Sequence, residues 1–374
     1  MNYIKRILGT VAFILIIVSC NQTAKKLIEE KEKPSGYLLK KLHKINSKGI
    51  LFGHQDDLAY GFNWKYKEGD PVSSDVKKAI GQFPAVIGWE IGHIGDSLNI
   101  DGIPFEHIQK LIIKGDSMGV VNTINWHPSF LNNSISSWDT KSDIVKTLVQ
   151  DGENHQELIK KLNHFSDFLK RLKRTDGSLV PIIFRPWHEM NGNWFWWGEK
   201  YCDNKQFKEL FQFTVNYLRV EKGLDNLLIA YSPDRQFHSE EEYLKWYPGD
   251  DYVDILGVDN YYDFKEGGEG IQAVIDKLEI VVNTAAKKNK LAAFTETGCD
   301  KLDNNKWYTE ALFKVLNTNS LYSKLSYVLV WRNKDTSHFF VPYKEHPAFP
   351  DFVSFTNNNQ VLMLDDYNTK LKEK

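Results

Sequence analysis

The sequence of 374 residues predicts a single (β/α)8 barrel that follows an N-terminal signal and a tether. Eight short apolar runs alternate with amphipathic stretches, and polar residues gather at the carboxyl ends of the runs. Several runs are continuous, as is typical of parallel strands buried on both faces, and eight strands alternating with helices fit a closed barrel. The rival, an open doubly wound sheet, would need a glycine-rich phosphate turn after its first strand. The segment Gly53-His54-Gln55-Asp56-Asp57 is not such a turn.

The N-terminus resembles the signal peptide of an exported bacterial lipoprotein. Lys5 and Arg6 precede an apolar run over residues 7–18, which is short for a membrane span. The run ends in Ile17-Val18-Ser19-Cys20, which resembles a lipobox. We therefore predict a signal peptide over residues 1–19, lipid attachment at Cys20 and a membrane anchor on the periplasmic side or cell surface. A cleaved secretory signal and an uncleaved anchor are the alternatives.

Residues 20–36 are polar, with Pro34-Ser35-Gly36 as a breaker, and predict a tether. The catalytic domain is expected over residues 37–374. Its eight predicted strands are Ile50–Phe52, Ala85–Trp89, Val120–Trp126, Val180–Phe184, Leu227–Tyr231, Val253–Val258, Leu291–Phe294 and Tyr327–Trp331.

Apolar residues at helical spacing predict helices between the strands. The clearest stripes run from Leu158 to Leu172, from Phe207 to Leu218 and from Ile271 to Val282. Two long loops, over residues 128–154 and 332–349, follow strands and are expected on the catalytic face.

Charge and cysteine content exclude several classes of protein. The chain has 47 Lys and Arg against 49 Asp and Glu, so it lacks the excess of positive charge that nucleic-acid binding requires. Three cysteines are too few for a disulfide scaffold or a Cys-built zinc site, and the histidines lack paired metal-ligand spacing. We expect no metal and no cofactor. Cys202 and Cys299 are favoured as free thiols, although the sequence leaves their pairing open.

Two glutamates at strand ends predict glycoside cleavage. Glu189 follows the fourth strand and Glu296 the seventh, each in a short polar turn beside aromatic residues. An acetal needs an acid to protonate the departing oxygen and an anion to stabilise the oxocarbenium-like centre. Residues 194–197, which are Trp-Phe-Trp-Trp, follow Glu189 closely. Because sugar C–H faces pack on aromatic rings, we expect two of these four rings in the core and two along a groove.

The segment from Trp187 to Gly192, followed by Trp194 to Gly198, resembles the signature of glycoside hydrolase family 26, whose commonest activity is β-1,4-mannanase. Further matches, spread over roughly residues 50–355, are Gly53-His54-Gln55, Asp259-Asn260-Tyr261, Thr295-Glu296-Thr297-Gly298 and His346 to Phe352. The resemblance implies the same barrel, with Glu189 as acid/base and Glu296 as nucleophile.

The resemblance also implies the substrate-binding residues. His188 occupies the position where related barrel families carry Asn, and Tyr261 would donate a hydrogen bond to Glu296. Arg185 would orient a carboxylate by ion pairing. Sugars flanking the scissile bond would be framed by Trp194 and Trp331, and hydroxyls of the glycone would be contacted by His127, Asp259 and Arg332.

The implied reaction is retaining hydrolysis of β-1,4-mannosidic bonds in mannan, glucomannan or galactomannan, or in manno-oligosaccharides, with mannobiose as one candidate product. A β-1,3-xylanase or mixed-linkage β-glucanase of the same family is the alternative. A non-catalytic carbohydrate-binding lipoprotein is the other, although a degenerate barrel would be expected to lose at least one glutamate. The sequence leaves endo and exo action open.

Overall fold

The computed structural model describes residues 33–140 and 143–373. The predicted signal peptide, Cys20 and the tether up to residue 32 lie outside this range. Within it, no helix combines the length and the apolar character needed to cross a membrane.

Eight parallel strands form a closed barrel, because the first strand pairs with the second on one side and with the eighth on the other. Every residue of these strands is buried, which explains their apolar sequences. All eight predicted strands are present: β1 Ile50–Gln55, β2 Val86–Glu90, β3 Val121–Asn125, β4 Ile182–Arg185, β5 Leu227–Tyr231, β6 Ile255–Asn260, β7 Leu291–Thr297 and β8 Leu325–Val330.

Strand β7 extends three residues further toward the catalytic face than predicted. Its polar tip stays in the barrel because two threonine hydroxyls donate to carbonyls of β6. Thr295 Oγ1 bonds to Val258 O at 2.9 Å, and Thr297 Oγ1 bonds to Asn260 O at 2.8 Å. The strand thereby carries Glu296 to the rim.

Helices surround the barrel, and the three predicted stripes fall on helices whose apolar faces are buried. Short strands at Tyr60–Gly61 and Trp64–Lys65 form a hairpin after β1, and Val361–Leu362 pairs with β1. The helices that connect or follow the barrel strands are Asp75–Ile80, Phe105–Met118, Ile144–Leu148, His155–Arg171, Asn204–Asn216, Glu240–Leu244, Ile271–Lys287, Lys314–Asn317, Phe349–Thr356 and Leu364–Lys372. Helical turns of the π type lie at Tyr217–Glu221 and Trp307–Phe313.

A helix over Pro34–Asn46 precedes the barrel, so the predicted tether overlaps it at its last three residues. Pro34 starts this helix instead of breaking it, because proline at the first position needs no N–H partner and has a suitable φ. The Ser35 hydroxyl donates to Asp225 O at 2.6 Å, just before β5, and Leu42 and Ile45 are buried. The helix therefore docks at the amino-terminal end of the barrel strands.

Candidate active site

Three carboxylates meet at the carboxyl ends of the strands. One oxygen from each of Glu189, Asp259 and Glu296 lies within 4.8 Å of the others. Glu296 is carried by β7 and Asp259 by β6. Glu189 lies in the turn after β4 with a left-handed φ of 56°, and its N–H is fixed to Ser232 O at 2.8 Å. Such backbone is costly for a non-glycine residue and is found where a site demands it.

Glu296 is 4% exposed and has two donors. Arg185 donates to Oε1, and the Tyr261 hydroxyl donates to Oε2 at 3.0 Å. Burial raises the pKa of Glu296 to about 7, although Arg185 and the Tyr261 hydrogen bond act to lower it. The carboxyl group of Glu296 therefore ionises near neutral pH.

Glu189 is half-buried, and the indole N–H of Trp194 donates to its Oε2 at 2.6 Å. Burial raises the pKa of Glu189 well above its ordinary value, and the negative charges of Asp259 and Glu296 raise it further. Glu189 therefore keeps its proton at a pH where Glu296 has lost its own. Two carboxyls with separated pKa values are what acid-and-anion catalysis needs.

Asn191 connects the turn that carries Glu189 to the segment after β5. Its side-chain oxygen accepts from Asp234 N at 2.7 Å, and its amide donates to Asp234 O at 2.8 Å. Burial raises the pKa of Asp234 to about 6, and its charge contributes to the raised pKa of Glu189. Asp234 could not be identified from the sequence, because nothing in its local pattern shows that it contacts the turn after β4.

Arg185 makes the ion pairing predicted for it, and with two carboxylates. Its Nη1 lies 3.0 Å from Asp259 Oδ2, and Nη2 is paired with Glu296. The Arg185 guanidinium thus supplies, between these two carboxylates, the positive charge that a metal ion supplies in a metal centre.

Asp259, which is predicted to contact substrate hydroxyls, is buried among protein groups. Its oxygens accept from Arg185 and from the Ser232 hydroxyl at 2.6 Å, and its Oδ1 lies 2.7 Å from Thr295 Oγ1. Arg185 is thereby held between Asp259 and Glu296.

His127 lies between a buried carboxylate and an exposed tryptophan. Its Nδ1 is 2.5 Å from Glu90 Oε2, and its backbone N–H donates to Glu90 Oε1 at 3.1 Å. The ring of Trp138, in the loop after β3, stacks on the imidazole with centroids 5.1 Å apart. Neither Glu90 nor Trp138 was among the predicted site residues. The position of Glu90 at the end of β2 was a usable signal, whereas Trp138 lies in a loop without periodicity.

His188 is buried directly before Glu189. Burial lowers the pKa of His188 well below its ordinary value, and the charges of His127 and Arg185 act in the same direction. Its Nδ1 has no hydrogen-bond partner among residues 33–140 and 143–373. In the neutral imidazole one ring nitrogen is a donor and the other an acceptor, so the buried Nδ1 keeps one unused hydrogen-bonding position.

Of the four aromatic residues at 194–197, only Trp194 is half-buried at the site. Phe195 stacks on Trp197 at 4.4 Å, and Trp196 is also buried. The prediction of two groove-lining rings is therefore wrong for one of them. The extra ring is needed to support the histidines, since Phe195 lies 5.3 Å from the rings of both His127 and His188.

Trp331 and Arg332 follow β8 on the far side of the site. Trp331 is half-buried, and its ring lies 6.4 Å from His127. Arg332 is paired with Asp101 and donates to the Tyr60 hydroxyl at 2.9 Å, beside a pocket of about 260 Å³. Arg332 thus borders an open space, whereas Trp331 lies beside His127.

Both long loops lie on the catalytic face, as predicted. The first carries Trp138, and the second carries Phe340, whose ring lies 6.0 Å from that of Tyr261. Gly298 passes beside Phe340 with a φ of 151°. Cys202 and Cys299 are both free thiols, as favoured from the sequence.

Comparison with known proteins agrees with this geometry. The family model for Glycosyl hydrolase family 26 matches residues 29–320. The chain belongs to this family. A β-mannanase structure of family 26 from Bacteroides ovatus superimposes with a TM-score of 0.85 at 38% identity, covering 92% of this chain and 98% of that one.

Among curated proteins, a mannan endo-1,4-β-mannosidase of Bifidobacterium adolescentis is 30% identical in an alignment 352 positions long, which covers 87% of this chain and 34% of that protein. The chain thus spans about a third of the length of that relative. A mannan endo-1,4-β-mannosidase of Bacillus subtilis is 29% identical, with 69% of each chain covered.

Proposed function

We propose that this family 26 protein is a retaining β-mannanase that hydrolyses β-1,4-mannosidic bonds in mannan, glucomannan or galactomannan. The observation that carries the proposal is the spacing of the two glutamates, whose nearest oxygens are within 4.8 Å. Retaining enzymes place their carboxyl groups about 5–5.5 Å apart, whereas inverting enzymes leave about 6.5–9.5 Å for a water molecule.

In the first step Glu189 protonates the glycosidic oxygen while the Glu296 carboxylate attacks the anomeric carbon. The carbon–oxygen bond to the leaving sugar breaks, and a glycosyl ester forms on Glu296. Tyr261 and Arg185, which both donate to Glu296, hold its oxygens in place and favour its ionised form.

In the second step Glu189, now ionised, removes a proton from water, which attacks the same carbon and releases the sugar and the Glu296 carboxylate. The glutamate that acted as acid is thereby reprotonated. Beside Glu189, the imidazoles of His188 and His127 lie edge to face with centroids 4.8 Å apart.

The assignment of mannan as substrate is supported by the relatives that share the fold and the sequence, which are mannan endo-1,4-β-mannosidases and a β-mannanase. Release of reducing sugar from mannan, β-1,3-xylan and mixed-linkage β-glucan tests it. We expect turnover on mannan, and a preference for either other polymer would contradict the proposal. A Glu189→Ala/Glu296→Ala double variant that binds mannan without cleaving it is the control for contaminating activity. Chromatography of the products separates internal cleavage from mannobiose release.

The proposal includes location. The lipobox-like segment ending at Cys20 supports an exported bacterial lipoprotein, anchored in a membrane on the periplasmic side or at the cell surface.

A further inference from the structure

Tyr262 is an exposed aromatic residue next to the catalytic carboxylates. It is 48% exposed and begins a short helical turn directly after β6. The preceding residue, Tyr261, donates to Glu296, so the backbone of Tyr262 lies about 3.8 Å further along the same rim. None of the mechanism described above uses this ring.

The ring of Tyr262 is held in place from one side. The guanidinium of Arg235 lies 4.7 Å from its centroid, a cation–π contact. Arg235 is itself fixed, because its Nη1 lies 2.9 Å from Asp263 Oδ1 and 3.1 Å from Glu269 Oε1. Buried Lys277 binds the other oxygen of Asp263 at 2.7 Å. The exposed ring of Tyr262 is therefore restricted in its orientation.

The order of the strands decides which part of a substrate could reach this ring. In a closed ring of eight strands, β5 and β6 stand opposite β1 and β2. The group around Arg332, Tyr60 and Asp101 lies on the β8–β1–β2 side. Arg235 follows β5 and Tyr262 follows β6, beside the β4 turn that carries Glu189 and Trp194.

Glu189 gives its proton to the departing oxygen, so the leaving sugar lies on its side of the cleft. We propose that Tyr262, backed by Arg235, forms a binding surface for a β-1,4-linked hexopyranose of the leaving chain, beyond the sugar at Trp194. The inference rests on the proposed function and extends it to the substrate's distal end. A rigid aromatic face suits the apolar face of a pyranose. Glu269 and His238, with side chains 42% and 59% exposed, lie 3.4 Å apart at this edge and offer partners for hydroxyls.

The test compares two substrates that differ only on the leaving side. Mannohexaose labelled at its reducing end reaches the distal position, whereas an activated aryl β-mannobioside leaves only an aryl group there. For Tyr262→Ala we expect kcat/KM to fall about threefold to tenfold on mannohexaose. On the aryl mannobioside it should stay within about twofold of the wild type, because no distal sugar is lost.

The cleavage position gives a second readout that a general loss of stability would not move. Without a distal leaving-side surface, mannohexaose should bind further toward the glycone end, and the labelled products should become shorter. Tyr262→Phe, which keeps the ring face, should retain the wild-type pattern. Tyr37→Ala is the matched control, since Tyr37 is 45% exposed on the helix at the opposite end of the barrel.

Equal losses on both substrates, or an unchanged rate and product pattern on mannohexaose, would overturn the assignment. If the wild type cleaves neither substrate, the proposed function fails instead. Calorimetric titration of mannohexaose into the wild type and Tyr262→Ala then still decides the binding surface, with equal affinities counting against it.

Discussion

The imidazole of His127 lies against the buried carboxylate of Glu90, with Nδ1 2.5 Å from Oε2. Burial acts to raise the pKa of Glu90, but the charge and hydrogen bonds of His127 outweigh it, and the net pKa is lowered. The backbone N–H of Gly92 adds a further bond at 2.5 Å. An ionised Glu90 fixes the His127 proton on Nδ1, and the orientation of the ring within the site depends on this contact.

We therefore expect Glu90→Gln to impair catalysis without unfolding the barrel. The glutamine has the same size, but it removes a charge-assisted hydrogen bond, and its amide favours the wrong tautomer of His127. Such bonds are worth about 1.5–3 kcal/mol, so kcat/KM on mannan should fall about tenfold to a hundredfold. Glu68→Gln, which changes an exposed glutamate paired with Lys110, is the control. A Glu90→Gln variant with wild-type kcat/KM and an unaltered pH profile would remove Glu90 from the site.

Tyr261→Phe should shift the acidic limb of the activity profile to higher pH. Glu296 acts as an anion, and its pKa is about 7 while Tyr261 donates to it. Removing the hydroxyl disfavours the ionised form, so the pKa of Glu296 rises and activity is lost at a higher pH as the solution is acidified. The measurement is kcat/KM against pH for the variant and for Tyr231→Phe, a buried tyrosine whose hydroxyl bonds to Tyr243 O. Superimposable acidic limbs in the wild type and Tyr261→Phe would contradict the assigned hydrogen bond.

The barrel could be predicted because its signals are local. The apolar run at Leu227–Tyr231 is strand β5 to the residue. The proposed catalytic pair could also be selected from the sequence, since Glu189 and Glu296 each come shortly after such a run. The burial of Asp259 could not be predicted. The sequence does not show whether a carboxylate at the end of a strand faces the cavity or pairs with an arginine. The pairing of Glu90 with His127 likewise depends on residues from separate strands whose side-chain directions the sequence does not specify.

The two glutamates should respond differently to an activated leaving group. Glu189→Ala removes an acid that a dinitrophenolate does not need, so an aryl mannoside should still form the glycosyl-enzyme. The intermediate should accumulate and turn over slowly, because water lacks its base. On mannan the loss should be about 10²–10⁴-fold. Added azide, which needs no base, should restore turnover and yield a β-mannosyl azide.

Glu296→Ala serves as the opposing control, since it removes the nucleophile and should form no adduct with either substrate. Mass spectrometry of both variants after mixing with the aryl mannoside detects the intermediate. An adduct on Glu296→Ala, or neither adduct nor azide rescue with Glu189→Ala, would reverse or abolish the assigned roles.

Alanine substitutions at two glycines should have opposite effects on stability. A Cβ at Gly298 would lie 2.2 Å from Phe340 Cδ1 on backbone with a φ of 151°, so Gly298→Ala should destabilise the fold by about 1–3 kcal/mol. At Gly115, inside the helix Phe105–Met118, the nearest atom would be 3.6 Å away. Gly115→Ala should therefore stabilise by about 0.4–1 kcal/mol. Thermal unfolding by circular dichroism measures both changes, and a shared sign would refute the steric reasoning.

Cys20→Ala should release the proposed anchor. The full-length parent is expected to partition into detergent, whereas the variant should be soluble or remain unprocessed. Phase separation of cell extracts followed by immunoblotting measures this. A variant that lacks its signal peptide and still sediments with membranes would argue against lipid attachment at Cys20.

The helix Pro34–Asn46 determines at which end of the barrel the preceding chain is attached. Its first turn is bonded to Asp225 at the amino-terminal end of β5, while Glu189 and Glu296 lie at the carboxyl ends of the strands. Chain preceding Pro34 thus joins the barrel at the pole opposite the cleft. With a lipid on Cys20, as proposed, the anchored segment would be attached at the end of the barrel opposite the cleft and would leave the cleft free. A branched polymer too bulky to pass between protein and membrane could then dock directly from the surrounding medium.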